Sequence, residues 1–128
     1  MNNSASPRIV IADDDGFFRQ ILKLIANTAG WEVVAEAADG EQAVACTEQH
    51  QPDMLWLDVN MPKMSGMQAL AAIHPRAPDL CIVMLTGQDE AGDIEACLTA
   101  GASAYVTKGS PNDMGEQLLR IWGERMRP

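Results

Sequence analysis

The feature that most constrains this chain is a fivefold alternation of short apolar runs with stretches of helical periodicity. The runs are Arg8–Ala12, Trp31–Glu36, Met54–Leu57, Leu80–Leu85 and Ala104–Thr107. They are short and largely without in–out alternation, which suits strands covered on both faces. Between them, apolar residues recur at helical spacing. The sets are Phe18, Ile21, Leu22 and Ile25; Ala43, Val44 and Cys46; Met67, Leu70 and Ala71; Ile94, Cys97 and Leu98; and Met114, Leu118, Ile121 and Trp122. Punctuation supports the same division. Gly30 and Gly101 supply helix stops, and Gln51-Pro52 breaks the second helix. Asp15, Asp39 and Ser110 suit N-caps, with Gln42 at a capping-box position and Pro111 at a first helical position.

Strands alternating with helices predict an α/β chain with a parallel sheet and helices on both faces. Right-handed crossovers then favour a doubly wound (βα)5 arrangement, the flavodoxin-like fold with a five-stranded parallel sheet. One domain over residues 8–123 is expected, after a loose polar leader at 1–7 and before a tail or linker start at 124–128. Acidic residues outnumber basic ones by 18 to 9, giving a net charge of −9, which argues against direct nucleic-acid binding by this segment. Cys46, Cys81 and Cys97 are scattered without CxxC spacing, so reduced thiols are expected rather than a disulfide framework or zinc site. His50 and His74 stand alone and read as residues near helix ends. With no signal peptide and no apolar run of membrane-spanning length, a cytoplasmic, non-membrane protein is expected.

The polar residues gather where strands end. Asp13 and Asp14 follow the first strand, Asp58 the third, Thr86 the fourth and Lys108 the fifth. In a doubly wound sheet the carboxyl ends of all strands share one edge, where ligands bind. Residues distant in sequence would therefore meet there. Adjacent carboxylates repel unless something relieves them. A hard divalent cation and the Lys108 ammonium are the natural agents, and Mg²⁺ favours such partial sets of carboxylates completed by water and phosphate. A carboxylate can attack phosphorus to form an aspartyl phosphate. That transfer needs mainly alignment and charge neutralisation. Singly, each residue has a plainer reading: an Asp as turn former or cap, Lys108 as a solvated surface lysine, Thr86 as a helix cap. Their coincidence at four strand ends favours the functional one.

These residues resemble the receiver domains of two-component response regulators, from about Arg8 to Trp122. The matching segments are Ile11 to Asp15, Pro52 to Gly66, Met84 to Gly87, and Gly101 to Lys108; the second is the most specific. The resemblance implies that Asp58 is the phosphoacceptor and that Asp13, Asp14, Asp58 and the Asn60 backbone carbonyl hold Mg²⁺ or Mn²⁺. It implies that Thr86 and Lys108 contact the phosphoryl group and that Tyr105 is an aromatic whose rotamer follows Thr86. Asn60 and Gln88, at the mouth, are expected to tune how long the phosphate lasts. The implied donor is a sensor histidine kinase or a histidine phosphotransfer protein. The implied output is an output domain or partner, with a homodimer on phosphorylation as one form.

Two departures stand out. Gly109 follows Lys108 where many members have proline, which removes the expectation of a cis peptide there and leans toward the NarL/LuxR subgroup with helix-turn-helix output domains. Gly87 follows Thr86, leaving the site open to donors and water. The rival readings are poorer fits. A haloacid-dehalogenase-like phosphatase wants an Asp two residues past its nucleophile, where this chain has Asn60. A flavodoxin-type flavin module wants a hydroxyl-rich phosphate loop, where this chain has Asp13-Asp14-Asp15. A pseudo-receiver normally lacks a site residue, and none is missing. A receiver fragment of a helix-turn-helix transcriptional regulator remains the alternative to a complete single-domain switch.

Overall fold

The structure, a computed structural model, describes residues 6–87 and 91–127. Its elements run β1 (Arg8–Ala12), α1 (Gly16–Ala29), β2 (Glu32–Ala37), α2 (Gly40–His50), β3 (Met54–Asp58), α3 (Gly66–Ile73), β4 (Cys81–Thr86), α4 (Ala91–Thr99), β5 (Ala104–Thr107) and α5 (Pro111–Arg125). The strands form one sheet in the order β2-β1-β3-β4-β5 with every pairing parallel. This is the flavodoxin-like arrangement that the β-α alternation predicts.

Successive strand residues feed opposite cores. Ile9, Ile11, Met54, Trp56, Val83 and Leu85 join Leu22 and Ile25 of α1 and Met114, Leu118 and Trp122 of α5. Val10, Leu55, Leu57, Ile82 and Met84 join Ala43 of α2, Leu70 and Ile73 of α3 and Cys97 of α4. Every residue of β3 and β4 is buried, because these strands have neighbours on both edges and helices on both faces. Their uninterrupted apolar composition follows from that position.

The helix caps use the expected chemistry, except that the Gln42 side chain accepts from the Ala38 amide at 2.8 Å and not from the amide of Asp39, so α2 has no capping box. The Asp15 side chain accepts from the Phe17 amide, Asp39 from Gln42 and Ser110 from Asp113. Each cap is worth about 1 kcal/mol. Gly30 ends α1 in the left-handed region at φ 79°, a conformation that costs glycine nothing sterically. Ser65 opens α3 with a complete capping box to Gln68, a Ser-x-x-Gln signal that the periodicity argument had passed over.

Several details correct the sequence reading. The buried face of α3 is Gly66, Ala69, Leu70 and Ile73, whereas Ala71 is exposed. The i, i+3, i+4, i+7 spacing fits this set better than the Met67–Leu70–Ala71 set. In α4, Cys97 is buried but Leu98 points outward. Strand β2 starts at Glu32, with the Trp31 side chain buried just before it. Pro7 is buried, and its carbonyl accepts from the Glu32 amide at 3.4 Å. Cys46, Cys81 and Cys97 form no disulfide among the described residues. There is no cis peptide among the described residues. No described helix is long and apolar enough to cross a membrane.

Candidate functional site

The site lies at the carboxyl edge of the sheet, where the parallel order brings the ends of β1, β3, β4 and β5 side by side. Asp13 follows β1 and is fully buried. Its amide donates to the Ala37 carbonyl at 3.0 Å, which extends the β1–β2 ladder by one bond. Its Oδ1 accepts from the Asp15 amide at 2.9 Å. The same turn thus orients an acid and supplies the α1 cap. Asp14, between them, is exposed.

Asp58 closes β3 and is buried, its side chain only 6% exposed. Carboxylate oxygens of Asp13, Asp14 and Asp58 can be chosen that all lie within 4.8 Å of one another. Oxygen donors of this kind and spacing fit a hard divalent cation, which tolerates partial protein coordination. Lys108, just past β5, brings its Nζ to 3.0 Å from Asp13 Oδ2 and 3.4 Å from Asp58 Oδ2. The closer contact is ionic, its angle short of a well-aligned hydrogen bond. Lys108 reaches this place because its amide donates to the Thr86 carbonyl at 2.8 Å, continuing the β4–β5 register.

The electrostatics follow from burial. Desolvation, reinforced by the Asp13 charge, raises the Asp58 carboxyl from its usual 3.8 to about 6. Lys108 and the Asn60 amide, which donates to Asp58 Oδ1 at 3.4 Å, oppose the rise without cancelling it. For Lys108, burial disfavours the charged form, but the two carboxylates outweigh it and raise the pKa above the ordinary lysine value. Among the described residues three acids face one ammonium, an excess of negative charge that favours a further cation.

Thr86 ends β4 fully buried, and its hydroxyl has no hydrogen-bond partner among the described residues. An orphaned buried hydroxyl is costly and gains from a polar group brought to it. Tyr105 lies on β5 opposite Met84 and is 40% exposed, in an outward position. Asn60 is exposed at the mouth. Gln88 lies outside the described residues.

Three contributors were missed by sequence reasoning. The Arg19 guanidinium donates to the Asp13 carbonyl at 2.6 Å and pairs with Glu36 at 3.0 Å, bracing the acidic turn against β2. The Phe18 ring lies under the Lys108 ammonium, 4.6 Å from Nζ to its centroid. Both residues sit in the first turns of α1; Phe18 gave only the signal of helix periodicity, and Arg19 gave none. Gly66 is the third. A side chain there would place Cβ 2.0 Å from the Asp58 carbonyl oxygen, so α3 can start this close to β3 only with glycine.

Residues 9–120 match the response regulator receiver domain family. The chain belongs to this family, and with it to two-component signalling. It is 36% identical over 120 residues to the transcriptional regulatory protein DegU of Brevibacillus brevis, covering 93% of this chain and 51% of DegU. It is 37% identical over 101 residues to the chemotaxis protein CheY of Bacillus subtilis, covering 79% of this chain and 84% of that protein. Among solved structures, the response regulator domain of Thermotoga maritima CheB superposes with a TM-score of 0.85 at 27% identity, covering 96% of this chain and 99% of that one. The chain thus spans about half the length of some curated relatives and most of the length of others. As a receiver domain it is a phosphoacceptor regulatory module that implies a histidine kinase partner, and its acidic triad could hold a metal ion.

Proposed function

We propose that this chain is a phosphorylation-dependent switch whose phosphoacceptor is Asp58. The observation that carries the reading is the meeting of a buried carboxylate with two further acids and one ammonium at the strand ends. The donor is a phosphohistidine on a sensor kinase or a phosphotransfer protein. An Asp58 oxygen attacks phosphorus, a P–O bond forms, and the P–N bond breaks with its electron pair passing to the departing imidazole. Above about pH 6 Asp58 is ionised, the form required for attack. Asp13, Asp14, Asp58 and the Asn60 backbone carbonyl would hold Mg²⁺ or Mn²⁺, which would supply charge neutralisation at the phosphoryl oxygens. Lys108, already within 3.4 Å of Asp58, is placed to contact one of those oxygens. The orphaned Thr86 hydroxyl gains an acceptor when it turns toward another. Tyr105 then moves inward after Thr86. Asn60 and Gln88 tune the lifetime of the aspartyl phosphate.

The phosphate adds negative charge and acceptor oxygens that only one conformation satisfies, so the equilibrium shifts toward it. The receiver unit runs from 8 to 123 in this reading, with Pro7 buried at its start and α5 continuing to Arg125. We place it in the cytoplasm, where it passes its state to an output domain or partner and can pair with a second copy on phosphorylation. Its net charge of −9 opposes direct nucleic-acid contact by this segment. A second reading, the receiver portion of a transcriptional regulator, is favoured by the 36% identity to DegU over only half of that protein.

Incubation with Mg²⁺ and a small phosphodonor, read by intact mass, tests the reading. The expected result is one added phosphoryl group on the wild-type chain and none on Asp58→Asn. No modification, or equal modification of both, would overturn it.

A further inference from the structure

Lys108 is gripped from two chemically different sides. Two carboxylates hold it at 3.0 and 3.4 Å, and the Phe18 ring centroid lies 4.6 Å from the same nitrogen. Phe18 comes from α1, is partly buried and packs against the core that α1 shares with α5. Its place is fixed by the Asp15 cap at the start of the same helix. The Lys108 side chain is 27% exposed, so water competes for its ammonium.

We infer that Phe18 is a positioning residue, whose ring face, together with Asp13, keeps the Lys108 ammonium at the site while its Asp58 partner changes. The inference rests on the phosphoacceptor reading above. The contact with Asp58 is disturbed when that carboxylate is modified, whereas the ionic contact with Asp13 and the ring remain. The attraction of an ammonium to an aromatic face is broad, acting within about 6 Å of the centroid. The ring therefore lets Nζ slide from Asp58 toward a phosphoryl oxygen without a wholly solvated intermediate. An aliphatic wall offers no such attraction, and the ammonium beside one turns out to water.

The test compares Phe18→Leu and Phe18→Tyr, alone and with Lys108→Ala, using phosphoramidate and Mg²⁺ with intact mass as readout. Phe18→Leu is expected to slow modification of Asp58 roughly three- to tenfold. Phe18→Tyr, which keeps the ring, is expected to recover most of that loss. In the Lys108→Ala background, Phe18→Leu should have no further effect, the mark of an action through Lys108. A second readout needs no phosphorylation. The Lys108 ε-methylene protons should show a ring-current shift in the wild type and in Phe18→Tyr, and lose it in Phe18→Leu. Equal rates for wild type and Phe18→Leu, equal slowing by Leu and Tyr, or an additive effect on Lys108→Ala would each overturn this inference alone. A wild-type chain that takes no phosphoryl group would overturn the phosphoacceptor reading and the inference together.

Discussion

Asp58→Asn should make the protein more stable at neutral pH, although it removes half of an ion-paired contact. The folded protein holds the Asp58 proton more tightly than the unfolded chain, because the carboxyl rises from 3.8 to about 6 on folding. Protonation therefore favours the fold. That benefit is fully present below about 3.8 and is lost as pH rises through about 6. At 1.36 kcal/mol per pKa unit, keeping the carboxylate charged in this pocket costs at most about 3 kcal/mol. Asparagine has nearly the same shape and no charge to desolvate. Lys108 loses its 3.4 Å contact with Asp58 but keeps the 3.0 Å contact with Asp13. That loss is already contained in the shift, which Lys108 opposes; with relaxation of the pocket and water entry reducing the ceiling, the net gain is about 1–2 kcal/mol, or roughly 3–8 °C in Tm for a domain of this size. Thermal melts followed by circular dichroism between pH 4.5 and 8 measure it. The advantage of the variant should open mainly over the window from 3.8 to about 6 and stay constant above it. Saturating Mg²⁺ should narrow it by stabilising the wild type more than the variant, which lacks one of the three acids. A variant melting at or below wild type at pH 7.5, or an advantage independent of pH, refutes the reasoning.

Two other substitutions probe the frame around the site. Gly66→Ala forces a Cβ to within 2.0 Å of the Asp58 carbonyl oxygen and should cost about 3 kcal/mol or more in urea unfolding. A loss under 1 kcal/mol would show that α3 can move away freely. Thr86→Val replaces a buried hydroxyl that lacks a partner among the described residues by a methyl group and should raise the unfolding free energy by about 1 kcal/mol. A clear loss of stability would mean the hydroxyl is satisfied in the folded state.

The frame was legible because each strand was bounded by its own chemistry. Met54–Asp58 reads as a covered strand since nothing polar interrupts it before the acid. Parallel strand order then obliges Asp13, Asp58, Thr86 and Lys108 to share an edge. This is why residues 95 positions apart, such as Asp13 and Lys108, could be grouped before any coordinates. Side-chain partners across that edge were a different matter. Periodicity marks Phe18 as facing inward but cannot say that Lys108 lies above its ring. Arg19 looks like any solvated helix residue until the turn before it folds back to offer the Asp13 carbonyl. Facing positions in short helices were also ambiguous, since one residue of rotation exchanges Ala71 for Ala69 and Ile73. Glycine at 66 was visible, but its necessity depends on how near two main chains pass, a distance no single-residue preference encodes.

The place of Asp58 in the sheet has a mechanical consequence. Its strand is the middle one of five, clamped by hydrogen bonds on both edges and without an exposed residue along its length. Charge added there meets the least yielding part of the molecule. Adjustment must therefore fall on the flank, where β5 has a single neighbour, only four residues and a half-uncovered aromatic. On the reading of Asp58 as the phosphoacceptor, an immovable anvil under the chemistry would let a small disturbance be delivered whole to the loose margin.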